Sequence, residues 1–393
     1  MSYPSIILKS GKERALQNRH CWLFSGAVKQ HPTQAAEGSI VAVRNNANEL
    51  LGYGFYAAQS QIVCRLFEFT NQEQEFGAAY WHEKINNAWK LRQALVASSK
   101  TTIFRLIHAE GDFLPGVIAD VFGHTIVLQI LNKGAERIQH HLLQSFRLLG
   151  FEHIYLKNKA NPERLEGVTM QNGWLSGGFD EDLWAQEHGL KFKIDYLKGQ
   201  KTGFFIDQRE NRRILGQFSS GKRVLNTFSY TGGFSVYALA GGAREVYSVD
   251  VSKDALALAT ENVTENFGVQ APHKVLDSDC FDYLRQMDEN FEVIVLDPPA
   301  FAKSARNVPN AARGYKDLNR LAFNKVMPQG LILTFSCSQN IDKQLFRQII
   351  FSAAAEAGRN VRVVEQLIQP ADHPINIFHP ETEYLKGLML WVE

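Results

Sequence analysis

The chain has 393 residues, which is enough for two or three domains with hydrophobic cores of their own. Hydrophobic residues make up 45% and charged residues 21%, an ordinary globular balance, and no apolar run approaches the length of a membrane span. The formal net charge of +1 gives no global basic signature, and residues 1–14 carry no signal-peptide pattern, so we expect a cytoplasmic protein with no membrane partner.

The first 70 residues contain short apolar runs separated by Gly and Asn, which is typical of β-strands joined by turns. The predicted strands lie at 5–8, 39–43, 50–56 and 61–67. They indicate a small, β-rich, barrel-like domain over residues 1–70.

The next block, residues 71–193, begins with a helical pattern at 76–96. Two alternating apolar runs follow at 116–121 and 125–131, and the short connection between them predicts a β-hairpin. We expect a central α+β domain here, whose function the residues do not indicate.

The third block, residues 194–393, alternates predicted strands with predicted helices. The clearest strands lie at 223–228, 244–250, 291–297 and 331–335. This alternation predicts an α/β domain on a mainly parallel, doubly wound sheet. Such sheets bind ligands at the carboxyl ends of their strands, so polar residues that follow the strands are candidates for a site.

Three strand ends indicate a nucleoside cofactor. The first strand runs into a turn with Gly232 and Gly233, where the backbone could approach a ligand closely. The next strand ends in Asp250, whose carboxylate could accept bonds from both ribose hydroxyls. Asp279 could accept a bond from an adenine amino group, cap the following helix, or do both. A tight turn with an incidental capping Asp is the alternative.

The glycine spacing lacks the third glycine of a dinucleotide motif. A nicotinamide oxidoreductase would need that phosphate-binding turn and is disfavoured, whereas S-adenosylmethionine (SAM) has no phosphate to hold.

A six-residue run that is apolar except for Glu292 leads into Asp297, Pro298 and Pro299. The two prolines stiffen a loop that could hold a flat base, and Asp297 could read the edge of that base. Ala300 follows instead of an aromatic residue, which disfavours methylation of an exocyclic amine.

The four cysteines, Cys21, Cys64, Cys280 and Cys337, form no CxxC pair and no metal-ligand spacing, so we expect reduced thiols and no metal. Cys337 ends a predicted strand that should lie beside the Asp297 loop. A lone Cys there is more often a buried small residue than a nucleophile. However, a thiolate that adds to carbon 6 of a pyrimidine makes carbon 5 able to attack a methyl sulfonium, and nearby cations would favour that thiolate.

Two segments concentrate positive charge. Residues 198–223 hold seven Lys and Arg against two acidic residues, and 303–325 hold six against one. These segments suit a polyanion, although solvated helix faces give the same pattern. Residues 200–212 could cover the cofactor while their arginines contact phosphates, or could form a capped amphipathic helix.

Taken in order, the motifs resemble the RlmI-type family of ribosomal RNA large-subunit cytosine-5 methyltransferases over nearly the whole chain. They are KTGFFIDQRENR, LNTFSYTGGF, YSVD, DPPAF, RGYKDLN, TFSCS, DHP and YLKG, with EGSIVAV in the first block. The resemblance implies an N-terminal β-rich PUA domain (1–70), a central α+β domain (71–193) and a Rossmann-like class I methyltransferase domain (194–393). It also implies SAM as cofactor and large-subunit ribosomal RNA as partner.

By the same resemblance, Cys337 would attack the cytosine and Asp297 would orient it. The implied cofactor-binding residues are Phe205, Gln208, Phe228, Ser229, Tyr230, Thr231, Gly232, Gly233, Phe234, Asp250, Asp279, Cys280 and Asp297. The implied substrate-binding residues are Arg209, Arg212, Pro298, Pro299, Phe301, Lys303, Arg313 and Lys316.

Some RNA cytosine methyltransferases use a second Cys directly after the Asp-Pro-Pro motif for product release. Ala300 stands there in this chain, so release needs another group. Uracil stays open as the target, because its carbon 5 undergoes the same thiolate chemistry. A guanine ring-nitrogen methyltransferase on the same scaffold and a non-catalytic PUA-type RNA-binding protein are further alternatives, and a homodimer is left open.

Overall fold

The computed structural model describes residues 3–158, 167–178, 182–288, 290–302 and 304–393. The described residues form two compact units whose segments alternate along the chain. The first unit comprises the chain up to Gln186, Ile194–Phe204 and Ala371–Glu383. The second comprises Glu187–Lys193, Phe205–Pro370 and Tyr384–Glu393.

The first unit opens with a β-rich part, as predicted. Its elements are β1 (Ser5–Leu8), α1 (Arg14–Gln17), β2 (Trp22–Phe24), β3 (Val28–Gln30), β4 (Ile40–Arg44), β5 (Leu50–Tyr56) and β6 (Ile62–Glu68). The strands form one sheet in the order β2-β6-β5-β4-β1-β3, in which β1 and β4 run parallel. Alternate apolar residues, such as Ile6 and Leu8, point into its core.

The central part of the first unit places helices on a five-stranded sheet. Its elements are α2 (Ala78–Leu95), β7 (Ile103–His108), β8 (Val117–Phe122), β9 (Thr125–Ile130), α3 (Lys133–Arg137), α4 (Gln139–Leu148), β10 (His153–Leu156) and β11 (Gly173–Ser176). The sheet order is β11-β10-β9-β8-β7. The predicted hairpin is confirmed as the antiparallel pair β8 and β9. Trp81 and Ile85 of α2 pack into the same core as these strands.

A buried polar network connects the three segments of the first unit. Arg92 donates to the backbone oxygen of Asp372 (2.8 Å), and the Arg105 N–H donates to the carboxylate of Asp372 (2.9 Å). The Arg105 guanidinium binds both oxygens of Asp120 (2.7 and 2.9 Å), which also accepts from the Thr202 hydroxyl (2.6 Å). Because buried charges require partners, this network fixes the segments around Thr202 and Asp372 within the unit.

The second unit contains a seven-stranded sheet between two layers of helices. Two short strands, β12 (Trp184–Glu187) and β13 (Leu190–Lys193), precede it in the chain. The sheet strands are β14 (Arg223–Thr227), β15 (Glu245–Asp250), β16 (His273–Asp277), β17 (Phe291–Leu296), β18 (Val326–Ser336), β19 (Val361–Leu367) and β20 (Lys386–Val392). The helices are α5 (Arg209–Gln217), α6 (Gly233–Ala240), α7 (Lys253–Phe267), α8 (Cys280–Gln286), α9 (Val308–Lys325) and α10 (Lys343–Ala357).

The sheet order is β16-β15-β14-β17-β18-β20-β19. Strands β14 to β18 pair in parallel, and β20 runs antiparallel to both β18 and β19. Neighbouring residues point to opposite faces, so Leu225 packs on the side of α8, α9 and α10, and Val224 on the side of α5 and α6. The predicted doubly wound α/β sheet is confirmed, and its parallel strands all end at one edge.

In the described part of the chain, the structure contains no helix with both the length and the apolar character needed to cross a membrane.

Candidate active site

The turn that follows β14 has an unusual backbone conformation. Phe228 and Tyr230 have φ angles of 53° and 45°, in a region that costs a non-glycine residue about 1–3 kcal/mol. The surroundings hold this conformation: the Phe228 N–H donates to Cys280 Sγ (3.1 Å), and the Tyr230 N–H donates to Asp250 Oδ2 (2.9 Å). Strain that is held in this way is typical of ligand-binding turns.

The two glycines of this turn are needed for close packing between helices. Gly232 has a φ of +77°, and a Cβ there would lie 2.8 Å from the Cβ of Ala259 on α7. A Cβ on Gly233 would lie 3.0 Å from Cδ of Arg212 on α5. The sequence pattern predicted that these glycines let the backbone approach a ligand. In the structure they let the turn approach the neighbouring helices α5 and α7.

Two carboxylates follow neighbouring strands at the same edge. Asp250 ends β15 and accepts hydrogen bonds from the N–H groups of Tyr230 and Ser252, both at 2.9 Å. Each carboxylate oxygen has two lone pairs, so Asp250 can still accept from a ligand. Asp279 is exposed and caps α8 through Oδ1, which confirms its predicted capping role.

Thr231, Phe234 and Cys280 are among the residues predicted to bind the cofactor whose side chains are buried. The ring of Phe234 packs against Phe335, with the ring centroids 5.6 Å apart. Burial raises the pKa of the Cys280 thiol to about 12, so this group is neutral near pH 7 and serves as an acceptor for the turn. These side chains support the turn from the core.

Asp297 follows β17 and is oriented by a pair of buried amides. Gln208 Nε2 donates to Asp297 Oδ1 (3.0 Å), and Asn211 Nδ2 donates to Gln208 Oε1 (2.6 Å). The ring of Phe205 contacts that of Tyr230 edge-on, with the centroids 5.1 Å apart. The segment that leads into α5 therefore contacts both the turn after β14 and the Asp297 loop.

Cys337 directly follows β18. Strands β17 and β18 pair in parallel with Leu296 opposite Thr334, so Asp297 and Cys337 leave adjacent strands at the same edge, as predicted. All four cysteines are in the described part of the chain, and Cys337 alone among them is not buried. The Ser338 hydroxyl accepts from the Ala302 N–H (3.2 Å), which connects this loop to the loop after Asp297.

A buried cation lies next to the Cys337 loop. Lys386, the first residue of β20, lies opposite Ser336 in the antiparallel pair of β18 and β20. Its Nζ donates to the backbone oxygens of Ser338 (2.8 Å) and Tyr384 (2.6 Å). The sequence contained this lysine in the YLKG motif, but its role depends on a strand pairing that local pattern does not show.

Comparison with known proteins identifies the family. The sequence profile described as S-adenosylmethionine-dependent methyltransferase matches residues 150–389, more than half of the chain, and a PUA-like domain profile matches residues 6–69. The chain belongs to the S-adenosylmethionine-dependent methyltransferase family. SAM is therefore the cofactor of this methyltransferase.

Curated relatives named ribosomal RNA large subunit methyltransferase I resemble the methyltransferase over nearly its whole length. The protein of Tolumonas auensis is 38% identical over 392 residues, 98% of each chain. That of Cronobacter sakazakii is 40% identical over 387 residues, 97% of this chain and 98% of its own.

Solved structures agree with the fold. A candidate SAM-dependent methyltransferase from Streptococcus mutans is 25% identical, with a TM-score of 0.83 over 99% of this chain and 100% of that one. A candidate methyltransferase in complex with SAH has the same identity and coverage and a TM-score of 0.84. The predicted fold class, a Rossmann-like methyltransferase domain with an N-terminal PUA-like domain, is confirmed.

The residues around the β14 turn of the methyltransferase fit a nucleoside cofactor. The Ser229 hydroxyl oxygen is buried and has no hydrogen-bond partner among the described residues. Leaving such a group unsatisfied costs about 1–3 kcal/mol, which a bound ligand can remove. Together with the accepting carboxylates of Asp250 and Asp279, this hydroxyl forms a donor and acceptor set that could hold the nucleoside of SAM.

The structure corrects the prediction that Arg209 and Arg212 contact phosphates, because both side chains are buried. Arg212 binds the two carboxylate oxygens of fully buried Glu187 (2.9 and 2.8 Å) and the backbone oxygen of Phe205 (2.9 Å). Separating a buried charge from its partner costs several kcal/mol, so Arg212 anchors the segment that carries Phe205 and Gln208.

The loop after β17 contains four of the remaining predicted substrate residues. Pro298 is buried and Pro299 is exposed. Phe301 is partly buried, and its ring contacts that of Tyr315 on α9 with the centroids 4.6 Å apart. Lys303 lies outside the described residues.

The two predicted substrate residues on α9 differ in their surroundings. Lys316 is paired with Glu356 of α10 (2.7 Å), so its charge is partly compensated. Arg313 is exposed and donates to the Asn310 side chain. Of these two, Arg313 is better placed to contact a polyanion.

Proposed function

We propose that this methyltransferase methylates carbon 5 of a cytosine in large-subunit ribosomal RNA, with Cys337 as the covalent nucleophile. Its relatives at 38–40% identity are named for large-subunit ribosomal RNA, and the coverage of both chains is nearly complete. The PUA-like match at residues 6–69 also supports an RNA substrate.

This proposal rests on the difference between Cys337 and the other three thiols. Burial raises the pKa of Cys21 and Cys280 to about 12 and also raises that of Cys64, so these three stay protonated near neutral pH. Cys337 is partly exposed, lies at the strand edge beside Asp297, and is followed by the residue that binds the Lys386 ammonium. Exposure and adjacent positive charge are the conditions that favour a nucleophilic thiolate.

Covalent catalysis overcomes the weak nucleophilicity of carbon 5. The Cys337 sulfur forms a bond to carbon 6 of the ring, and the electron pair of the 5,6 double bond moves to carbon 5. When bound, SAM would supply an electrophilic methyl group. Carbon 5 would use its electron pair to bond to the methyl carbon as the methyl–sulfonium bond breaks, and the electrons of that bond would stay on the sulfur of S-adenosylhomocysteine. Carbon 5 then loses its proton to a base, and the sulfur–carbon 6 bond breaks to restore the ring and the thiolate.

Asp297 supports cytosine over uracil. Gln208 holds its carboxylate in one orientation, and an ionised carboxylate accepts hydrogen bonds but donates none. Cytosine presents an amino group that can donate to Asp297, whereas uracil presents a carbonyl oxygen at the same ring position. An ionised Asp297 would therefore attract cytosine and repel uracil.

We assign the nucleoside of SAM to the turn after β14. In this assignment Asp250 accepts from the ribose hydroxyls and Asp279 from the adenine amino group, while Ser229 supplies its buried hydroxyl. Gln208 and Phe205 cover the cofactor from the α5 segment.

The test uses the purified protein, SAM and unmodified large-subunit ribosomal RNA, supplied both naked and in assembled subunits. Nucleoside mass spectrometry after digestion should detect 5-methylcytidine. Formation of 5-methyluridine would establish the uracil alternative, and methylguanosine would exclude the thiol mechanism. Intact SAM binding with no methylated nucleoside from either substrate would support a non-catalytic protein.

A further inference from the structure

Three potential metal ligands meet in the first unit: His20, His379 and Glu381. His20 Nε2 lies 3.3 Å from both carboxylate oxygens of Glu381, and His379 Nδ1 lies 3.4 Å from Oε2 of the same carboxylate. The three ligand atoms all lie within 4.8 Å of one another. Because 361 positions separate His20 from Glu381, sequence spacing could not reveal this cluster.

The distances suit a tetrahedral zinc-type site. Zinc–nitrogen and zinc–oxygen bonds of about 2.0–2.1 Å place adjacent ligand atoms roughly 3.3–3.4 Å apart in a tetrahedron. Both histidine–carboxylate distances match this separation. The Glu381 side chain is 40% exposed, so it can rotate to complete the geometry, and the site is open to solvent on that side.

The surroundings of the two histidines independently indicate a ligand. His379 is 1% exposed, and its Nδ1, which faces Glu381, makes no hydrogen bond among the described residues. Buried nitrogens of this kind normally have a partner. His20 Nδ1 lies 3.2 Å from both the backbone oxygen and the backbone nitrogen of Trp22. In the tautomer that donates from Nδ1 to this oxygen, Nε2 is unprotonated and can bind a metal.

We propose that His20, His379 and Glu381 bind a divalent transition-metal ion of the zinc class, with water as the fourth ligand. The ion would connect the residues just before β2 to the segment 371–383 of the same unit. Asp372 already fixes the other end of that segment through Arg105. The metal is thus a structural cross-link, and it revises the expectation from cysteine spacing that the chain has no metal site.

The experiment uses the full-length protein without an affinity tag, stripped with a chelator and titrated with Co²⁺. One equivalent should produce visible absorption bands of a tetrahedral site, and Zn²⁺ should displace them. His379→Gln and Glu381→Gln should weaken Zn²⁺ binding by at least about tenfold. His124→Gln, which changes an exposed histidine between β8 and β9, should bind as the wild type does.

Two further measurements distinguish a loss of metal binding from a loss of folding or of catalysis. Zn²⁺ should raise the melting temperature of the wild type but not of the two ligand variants, all of which are compared with their chelator-treated forms. Cys337→Ala should bind Zn²⁺ normally, so the result does not depend on the proposed methylation. The absence of saturable binding to the wild type, or unchanged binding by both ligand variants, would overturn the proposal.

Discussion

Lys386 provides a buried positive charge at the place where the proposed reaction creates a negative one. Its ammonium group donates to the backbone oxygens of Ser338 and Tyr384, and Ser338 is the residue next to Cys337. A buried ammonium is costly to keep charged, and a neighbouring anion offsets that cost. The thiolate of Cys337 and the ammonium of Lys386 would therefore stabilise each other.

The covalent role of Cys337 can be tested by trapping. Cys337→Ala should bind SAM with unchanged affinity and transfer no methyl group. RNA that carries 5-fluorocytosine should form a covalent complex with the wild type, since fluorine cannot leave carbon 5 as a proton does, and denaturing gels should show it. Cys64→Ala, which removes a fully buried thiol, should still form the complex. Normal transfer by Cys337→Ala would exclude the covalent mechanism.

Lys386 should act through the ionisation of the thiol. Lys386→Met should raise the pKa of Cys337 and move the pH–rate profile to higher pH, and a rise of about one in this pKa should lower activity at neutral pH roughly tenfold. SAM affinity should stay the same, and Lys386→Arg should restore much of the activity at neutral pH. A lower rate with an unchanged pH profile would show that the lysine only supports the loop.

At the scale of elements, mutation can distinguish the roles of the carboxylates that end β15 and β16. Asp250→Ala removes the acceptor for the Tyr230 N–H and the proposed acceptor for the ribose, so SAM should bind at least about tenfold more weakly in calorimetric titrations. Asp277→Ala changes a carboxylate at the same edge that pairs with Lys253, and should leave affinity unchanged. Equal affinity for both variants would refute the ribose assignment.

Gly232 should be sensitive to both conformation and packing. Gly232→Ala places a methyl group in a left-handed conformation and 2.8 Å from Ala259 Cβ, which should lower the free energy of unfolding by about 2–5 kcal/mol. Gly221 has a similar φ of +69° but open space around its Cβ, so Gly221→Ala should cost only about 1–2 kcal/mol. Denaturant unfolding measures both, and equal losses would contradict the packing role.

The elements that the sequence predicted well are those with a local pattern. The mostly apolar run of β17 and the alternation in β8 and β9 are properties of a few neighbouring residues. The insertion of β20 between β18 and β19 depends on distant pairing, which no short window contains. The strand-end carboxylates could be predicted because each directly follows its own apolar strand. Glu187, the buried partner of Arg212, could not, because the two residues lie 25 positions apart in the chain.

At the scale of the whole molecule, buried and half-buried histidines predict a loss of folding stability in acid. Burial lowers the pKa of His273 from 6.5 to about 4, and its ring is hydrogen-bonded to the buried Ser248 hydroxyl (2.8 Å). Burial also lowers the pKa of His108 in the first unit. The unfolded chain takes up protons near pH 6.5 that the folded chain does not, so this stability is present above pH 6.5 and is lost toward pH 4.

Unfolding in denaturant at several pH values should therefore show a falling free energy between pH 6.5 and 4. His273→Gln, which cannot take up a proton, should make this dependence shallower. An equally steep fall in the variant would assign the acid sensitivity to other groups.

The network around Arg105 limits how the chain could be rearranged by recombination. A single crossover near residue 190 would join Arg92, Arg105 and Asp120 from one parent to Thr202 and Asp372 from another. A hybrid whose second parent lacks Asp372 would leave the buried Arg105 N–H without its carboxylate acceptor. Exchange of the residues before position 190 between relatives should therefore succeed only where both parents have compatible residues at 202 and 372. The first unit is thus not encoded as one continuous genetic module.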